Sequence, residues 1–164
     1  MQKIIFTFSP VILIMFIAIA ELKAEEDKIE ELLVTYNNAL DFLNTEDFES
    51  ALPLLTEVIR SSPSNSDLMH LALSHRGSCY YELNQYFLAV NDFNAALFVN
   101  VKENIYHNSE TTEFLTEYIN GINYFLSGSA KQLTGSQSAA CADWLRSRNL
   151  GERRADEMIR KYCQ

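Results

Sequence analysis

Residues 75–97, HRGSCYYELNQYFLAVNDFNAAL, decide the fold. Gly77 and Ala89 are small residues within this stretch, and Tyr80, Tyr86 and Phe93 are rings that flank them. A small residue midway along one helix lets a second helix approach closely, and rings on either side fill the remaining space. The same arrangement occurs 38 positions earlier: Ala39 and Phe42 precede Gly77 and Tyr80 by that distance, as Phe48, Ala51 and Leu55 precede Tyr86, Ala89 and Phe93. A constant offset marks an internal repeat.

The flanking sequence carries helical periodicity. Ile29, Leu32, Leu33, Tyr36, Leu40 and Leu43 lay one apolar stripe, and Phe48, Ala51, Leu52, Leu55, Val58 and Ile59 lay a second. Thr45 between them is the expected N-cap, with Glu46 and Asp47 in the first turn. Ser61-Ser62-Pro63-Ser64 closes the second stripe. Pro53 inside it removes one backbone hydrogen bond and predicts a mild kink. A third, more divergent unit contains Gly128, Ala130, Lys131, Gly135, Ala140, Asp143 and Trp144, with Ala140 placed 51 residues after Ala89. The extra length falls in a polar stretch, residues 100–112, and in an extended helix over about 112–134.

The second unit resembles a tetratricopeptide repeat, with Gly77, Tyr80, Leu83, Tyr86, Ala89, Phe93 and Ala96 at the family's characteristic positions. The first unit resembles it through Ala39, Phe42, Phe48, Ala51, Leu55 and Pro63. The end of the chain, from Ala140 to Cys163, is similar to the close of small exported repeat proteins of Bacteroidetes-type bacteria. The resemblance implies an all-α, right-handed solenoid of about three helical hairpins over 29–63, 68–100 and 112–150. Gly151 is expected to cap the preceding helix. A last amphipathic helix over 152–163 would cover the open end of the stack.

Residues 1–24 read as a targeting segment. Lys3 precedes an apolar run from Ile4 to Ala20, and cleavage is expected after Ala20 or Ala24. The alternative is an uncleaved membrane anchor, for which 17 residues containing Pro10 are short. The expected location is therefore the periplasm or cell envelope, with the domain over 25–164 and no membrane span once the signal is removed. There disulfides persist. Cys141 and Cys163 enclose a 22-residue loop and could join the final helix to the last repeat, or be two small buried hydrophobes. Cys79 falls among core positions as a free thiol.

Charge excludes one class of partner. Between Glu25 and Glu117 the net charge is −13, whereas residues 141–164 carry +2. So acidic a body repels phosphate, which argues against nucleic acid. The basic end would either meet an acidic partner or form solvated helix faces. Catalytic signatures are absent: there is no H-E-x-x-H, G-x-S-x-G, Walker loop or G-x-G-x-x-G. Asp67 and His70 are spaced to share a metal on one helix, but no third ligand is evident, so both read as surface polar residues. His75 beside Arg76 reads as helix surface. Glu46, Asp47 and Glu49 read as a helix N-terminal cluster, and Glu110, Glu113 and Glu117 as a solvated face. No cofactor is expected.

The resemblance implies a concave groove lined by the first helix of each hairpin. Its candidate residues are Leu33, Tyr36, Leu40 and Leu43 in the first unit, Leu71, Ser74, Ser78 and Tyr81 in the second, and Ile122, Phe125, Ser129 and Gln132 in the third. Co-chaperone members grip a carboxylate there with Lys, Arg and Asn; here Tyr36, Leu40, Ile122 and Leu126 occupy those places. Such a lining suits an apolar peptide or helix, unless these residues are themselves core. The expected function is a non-catalytic protein-binding scaffold with a protein or peptide partner. The alternatives are a self-associating envelope component and a metal-dependent enzyme built on the histidines.

Overall fold

The computed structural model describes residues 10–99, 101 and 109–163. Among the described residues all regular structure is helical: α1 (Pro10–Asn44), α2 (Phe48–Ser61), α3 (Asp67–Glu82), α4 (Tyr86–Phe98), α5 (Ser109–Leu133), α6 (Gln137–Asn149) and α7 (Arg154–Tyr162). Each helix packs on the next along the chain, α3 also packs on α5, and α1 reaches α3 through Tyr36. Of the polar stretch at 100–112, residues 100 and 102–108, His107 among them, lie outside the described residues, as do the side chains of Glu110 and Glu113. α1 is unbroken from Pro10 to Asn44. Its described side chains from Val11 to Lys28 are all exposed, and full burial begins at Leu32, Tyr36 and Ala39.

The turns inside the three helical pairs are one structure used three times. After α1 the chain passes through Glu46 at φ 58°, with Asp47 N donating to Phe42 O and Glu46 N to Leu43 O. After α3 Asn84 at φ 59° does the same, with Gln85 N on Tyr80 O and Asn84 N on Tyr81 O. After α5 Gly135 at φ 83° repeats it, with Ser136 N on Lys131 O and Gly135 N on Gln132 O. This paired pattern satisfies the last carbonyls of a helix when the following residue is left-handed. The left-handed residues are separated by 38 and 51 positions, the offsets read from the side chains. The turn also corrects the expected cap. Asp47, not Thr45, caps α2 by accepting from Ser50 N at 3.1 Å. Thr45 lies just past the end of α1, precedes the left-handed residue, and donates its hydroxyl to Phe42 O. Beyond α6, Gly151 at φ 89° follows the cap residue Leu150.

Each pair is closed by a small residue facing a large one 16 positions later. Ala39 and Leu55 are both fully buried in the core formed by α1, α2 and α3. A Cβ on Gly77 would lie 2.8 Å from the Phe93 ring, and one on Gly128 would lie 2.7 Å from Trp144 Nε1. As the residue on the second helix grows from leucine to phenylalanine to tryptophan, the first helix gives up its methyl group. Ala51, Ala89 and Ala140 are buried small residues at corresponding positions of the second helices. Gly77→Ala is therefore expected to cost about 1–3 kcal/mol by overpacking. Adding Phe93→Leu, which recreates the Ala39–Leu55 combination, should recover part of that loss. Urea midpoints of the two single variants and the double variant measure the coupling.

Buried carboxylates link helices within the second and third pairs. Asp92 receives both Arg76 Nε and Nη2, at 2.7 and 2.8 Å. Its counterpart 51 residues on, Asp143, accepts from Ser127 Oγ at 2.8 Å and pairs with Lys131 and Arg146. A buried charge is tolerated when it is paired and hydrogen-bonded in this way. Pro53 lies in α2 with its ring exposed, and Pro63 follows the helix end, where its carbonyl accepts from Ser66 Oγ. The core positions Tyr80 and Phe42 are only partly covered, and Phe42 remains 37% exposed.

Candidate functional site

The first helices of the three pairs are joined by polar bridges. Tyr36 Oη lies 2.9 Å from His75 Nδ1, with the two rings stacked. His70 Nε2 lies 3.0 Å from Asn120 Oδ1, while Asn123 Nδ2 donates to Ser74 Oγ, which in turn donates to His70 O. These contacts tie α1 to α3 and α3 to α5 along one side of the molecule.

Neither His70 nor His75 is a surface residue. His70 is 1% exposed, and Asp67 is likewise buried. His75 is half-buried against Tyr36. No cluster of three metal-binding side chains occurs among the described residues.

Burial holds both histidines below their ordinary value of 6.5; at His70 the Asn120 bond and the Asp67 charge oppose it. A base whose folded value is depressed is neutral in the native state while the unfolded chain takes up its proton near 6.5. Stability from these groups is thus intact above 6.5 and falls as the pH drops from there toward the folded values. Melting temperature is expected to fall on going from pH 7.5 to pH 5, and less so in a His70→Gln/His75→Gln variant. Melts of both proteins across that range check it.

Of the twelve proposed groove residues, Tyr36, Ser74 and Phe125 are buried and offer a partner little surface. Leu33 and Leu71 lie partly buried against the first core. Tyr81 packs edge-on to Tyr86, Ser129 Oγ donates to Phe125 O, and Ile122 and Gln132 are half-buried. Leu40, Leu43 and Ser78 do come together. They line a cleft of about 530 Å³ with Asn44, Glu46, Phe48, His75 and Glu82.

The last five were missed as lining residues. His75, Ser78 and Glu82 follow one another at steps of three and four along α3, so helical spacing alone places them on one face. Choosing that face over the neighbouring one, which carries Leu71 and Ser74, requires knowing which neighbour α1 covers.

At the other end, Cys141 and Cys163 form a disulfide with an S–S distance of 2.03 Å and Cα atoms 5.6 Å apart. It holds α7 onto α6. Ala155 is fully buried, Tyr162 stacks on Trp144, and the Arg154 guanidinium lies 4.5 Å from the centre of the Phe125 ring. Gln137 Nε2 donates to Tyr162 O. Cys79 is a fully buried free thiol, its ionisation pushed up to about 11 by burial, which leaves it protonated and unreactive.

No protein-family model matches this chain, and no curated protein matches it.

Proposed function

We propose that the chain is a tetratricopeptide-like helical repeat protein of the bacterial periplasm or cell envelope that works as a non-catalytic scaffold, binding a partner protein in the cleft between α1 and α3. The observation that carries this reading is the cleft itself. Leu40, Leu43 and Phe48 present apolar surface there beside the polar groups of His75 and Ser78, on elements whose positions are fixed by buried contacts. Apolar concave surface with a few convergent polar groups is the usual form of a peptide-binding groove. Export is inferred from the apolar run at 4–20 and is consistent with the Cys141–Cys163 bond. No described helix is long and apolar enough to cross a membrane.

The opposite charges of the acidic body and the basic final segment favour a second reading, end-to-end association of copies. One experiment separates the two. The tagged full chain is used to capture partners from envelope extract beside Ser78→Arg, which fills the cleft, and Phe87→Ser, which alters an exposed ring elsewhere. The binding reading expects a partner retained by the wild type and Phe87→Ser and lost by Ser78→Arg. Capture unaffected by Ser78→Arg would remove the cleft from the account, and capture of the chain's own copies alone would favour self-association.

A further inference from the structure

The cleft has an electrostatic character that its apolar floor does not explain. Glu46 and Glu82 stand at its rim, both exposed, and neither is in an ion pair among the described residues. Two helices also end there: Asn44 closes α1 and Glu82 closes α3, and both residues line the cleft. A helix C-terminus carries a partial negative charge that Lys or Arg in the last turn ordinarily offsets. α2, α5, α6 and α7 each have a basic residue in the last turn, whereas α1, α3 and α4 have none, and of these three α1 and α3 end at the cleft. Two carboxylates and two uncompensated helix ends thus converge over an apolar floor, with His75 the only basic side chain lining the cleft, and burial keeps it neutral. The turn adds to this. Glu46 holds the left-handed conformation that the equivalent turns assign to Asn84 and Gly135, residues that adopt it at less cost.

We propose that the cleft takes a partner segment in which an apolar side chain is followed by lysine or arginine, the apolar group seated on Leu40, Leu43 and Phe48 and the cation held between Glu46 and Glu82. This rests on the cleft being the binding face. It names a partner complementary to the site in both shape and charge.

Fluorescence anisotropy on the purified full chain tests it, using labelled ten-residue peptides that carry Leu-Lys-Leu-Lys or Leu-Glu-Leu-Glu in a Gly-Ser background. At low salt the lysine peptide is expected to bind about tenfold tighter than the glutamate peptide, and Glu46→Gln/Glu82→Gln should remove most of that preference. The exposed pair Glu49→Gln/Glu57→Gln on α2 should leave it intact. Equal loss with that α2 pair would mean that general acidity attracts the peptide, and would overturn the proposal. If both peptides bind alike and Ser78→Arg abolishes both, the charge selectivity is wrong while the cleft stands as the binding face. Binding unaffected by Ser78→Arg would overturn both readings. Absence of peptide binding, with a concentration-dependent dimer that Ser78→Arg dissolves, would make a second copy the occupant and overturn the proposal.

Discussion

Trp144→Ala is expected to lower the unfolding free energy by about 3–5 kcal/mol. The indole is 1% exposed and packs against the backbone of α5 at Gly128, where even a methyl group would clash. Its Nε1 donates to Phe125 O at 3.2 Å, and its ring stacks on Tyr162 of α7. Alanine would remove the hydrogen bond, open a cavity at the junction of three helices and undock the final helix from its main contact. Gly128, having no side chain, cannot move in to fill the space. Phe87→Ala is the contrast: that ring is 75% exposed, and its loss should change stability by no more than about 0.5 kcal/mol. Urea unfolding followed by circular dichroism compares the two, since Trp144 is the only tryptophan and fluorescence would be lost with it. A cost below about 1 kcal/mol for Trp144→Ala would mean that the indole is not a core residue.

Removing the disulfide is the second large effect. Cys141→Ser/Cys163→Ser is expected to cost about 3 kcal/mol, the chain-entropy value for a loop of this length. The loss should be local before it is global. α7 spans nine residues and is held by Ala155, the Tyr162–Trp144 stack and the Gln137–Tyr162 hydrogen bond. An isolated helix that short does not persist in water. Hydrogen exchange should therefore show the amides of α7 losing protection first, with α1 to α4 unchanged. Uniform loss of protection would instead indicate that α7 opens only together with the rest of the fold.

Much of the architecture was legible in the sequence because it is carried by local and periodic signals. The small-to-large pairs Gly77–Phe93 and Gly128–Trp144 share one spacing, and three turns share one geometry, so each copy supports the reading of the others. The Cys141–Cys163 pairing was one of two open readings, and the geometry of α6 and α7 decides it. The bridges between helices were not legible. His70, Asp67 and His75 look like surface residues in sequence because a helical stripe marks one buried face and says nothing of a second neighbour. α3 has neighbours on several sides: α2, α4, α1 through Tyr36, and α5 through Asn120 and Asn123. The polar side chains that bridge these helices are thus interior, and His70, Ser74, His75, Asn120 and Asn123 each have a hydrogen-bond partner. The same oversight misplaced Tyr36, whose hydroxyl is directed at His75 within the fold. The cap at Asp47 was missed because a left-handed glutamate at position 46 is not what turn preferences suggest.

The most direct test of the central claim, that the cleft between α1 and α3 is where a partner binds, is photocrosslinking in intact cells. A benzoylphenylalanine placed at position 78 inside the cleft is compared with one at position 57 on exposed α2. The account predicts a discrete adduct from position 78 containing a second protein, identifiable by mass spectrometry and absent from position 57. An adduct from position 57 alone, or the same adducts from both, would contradict it.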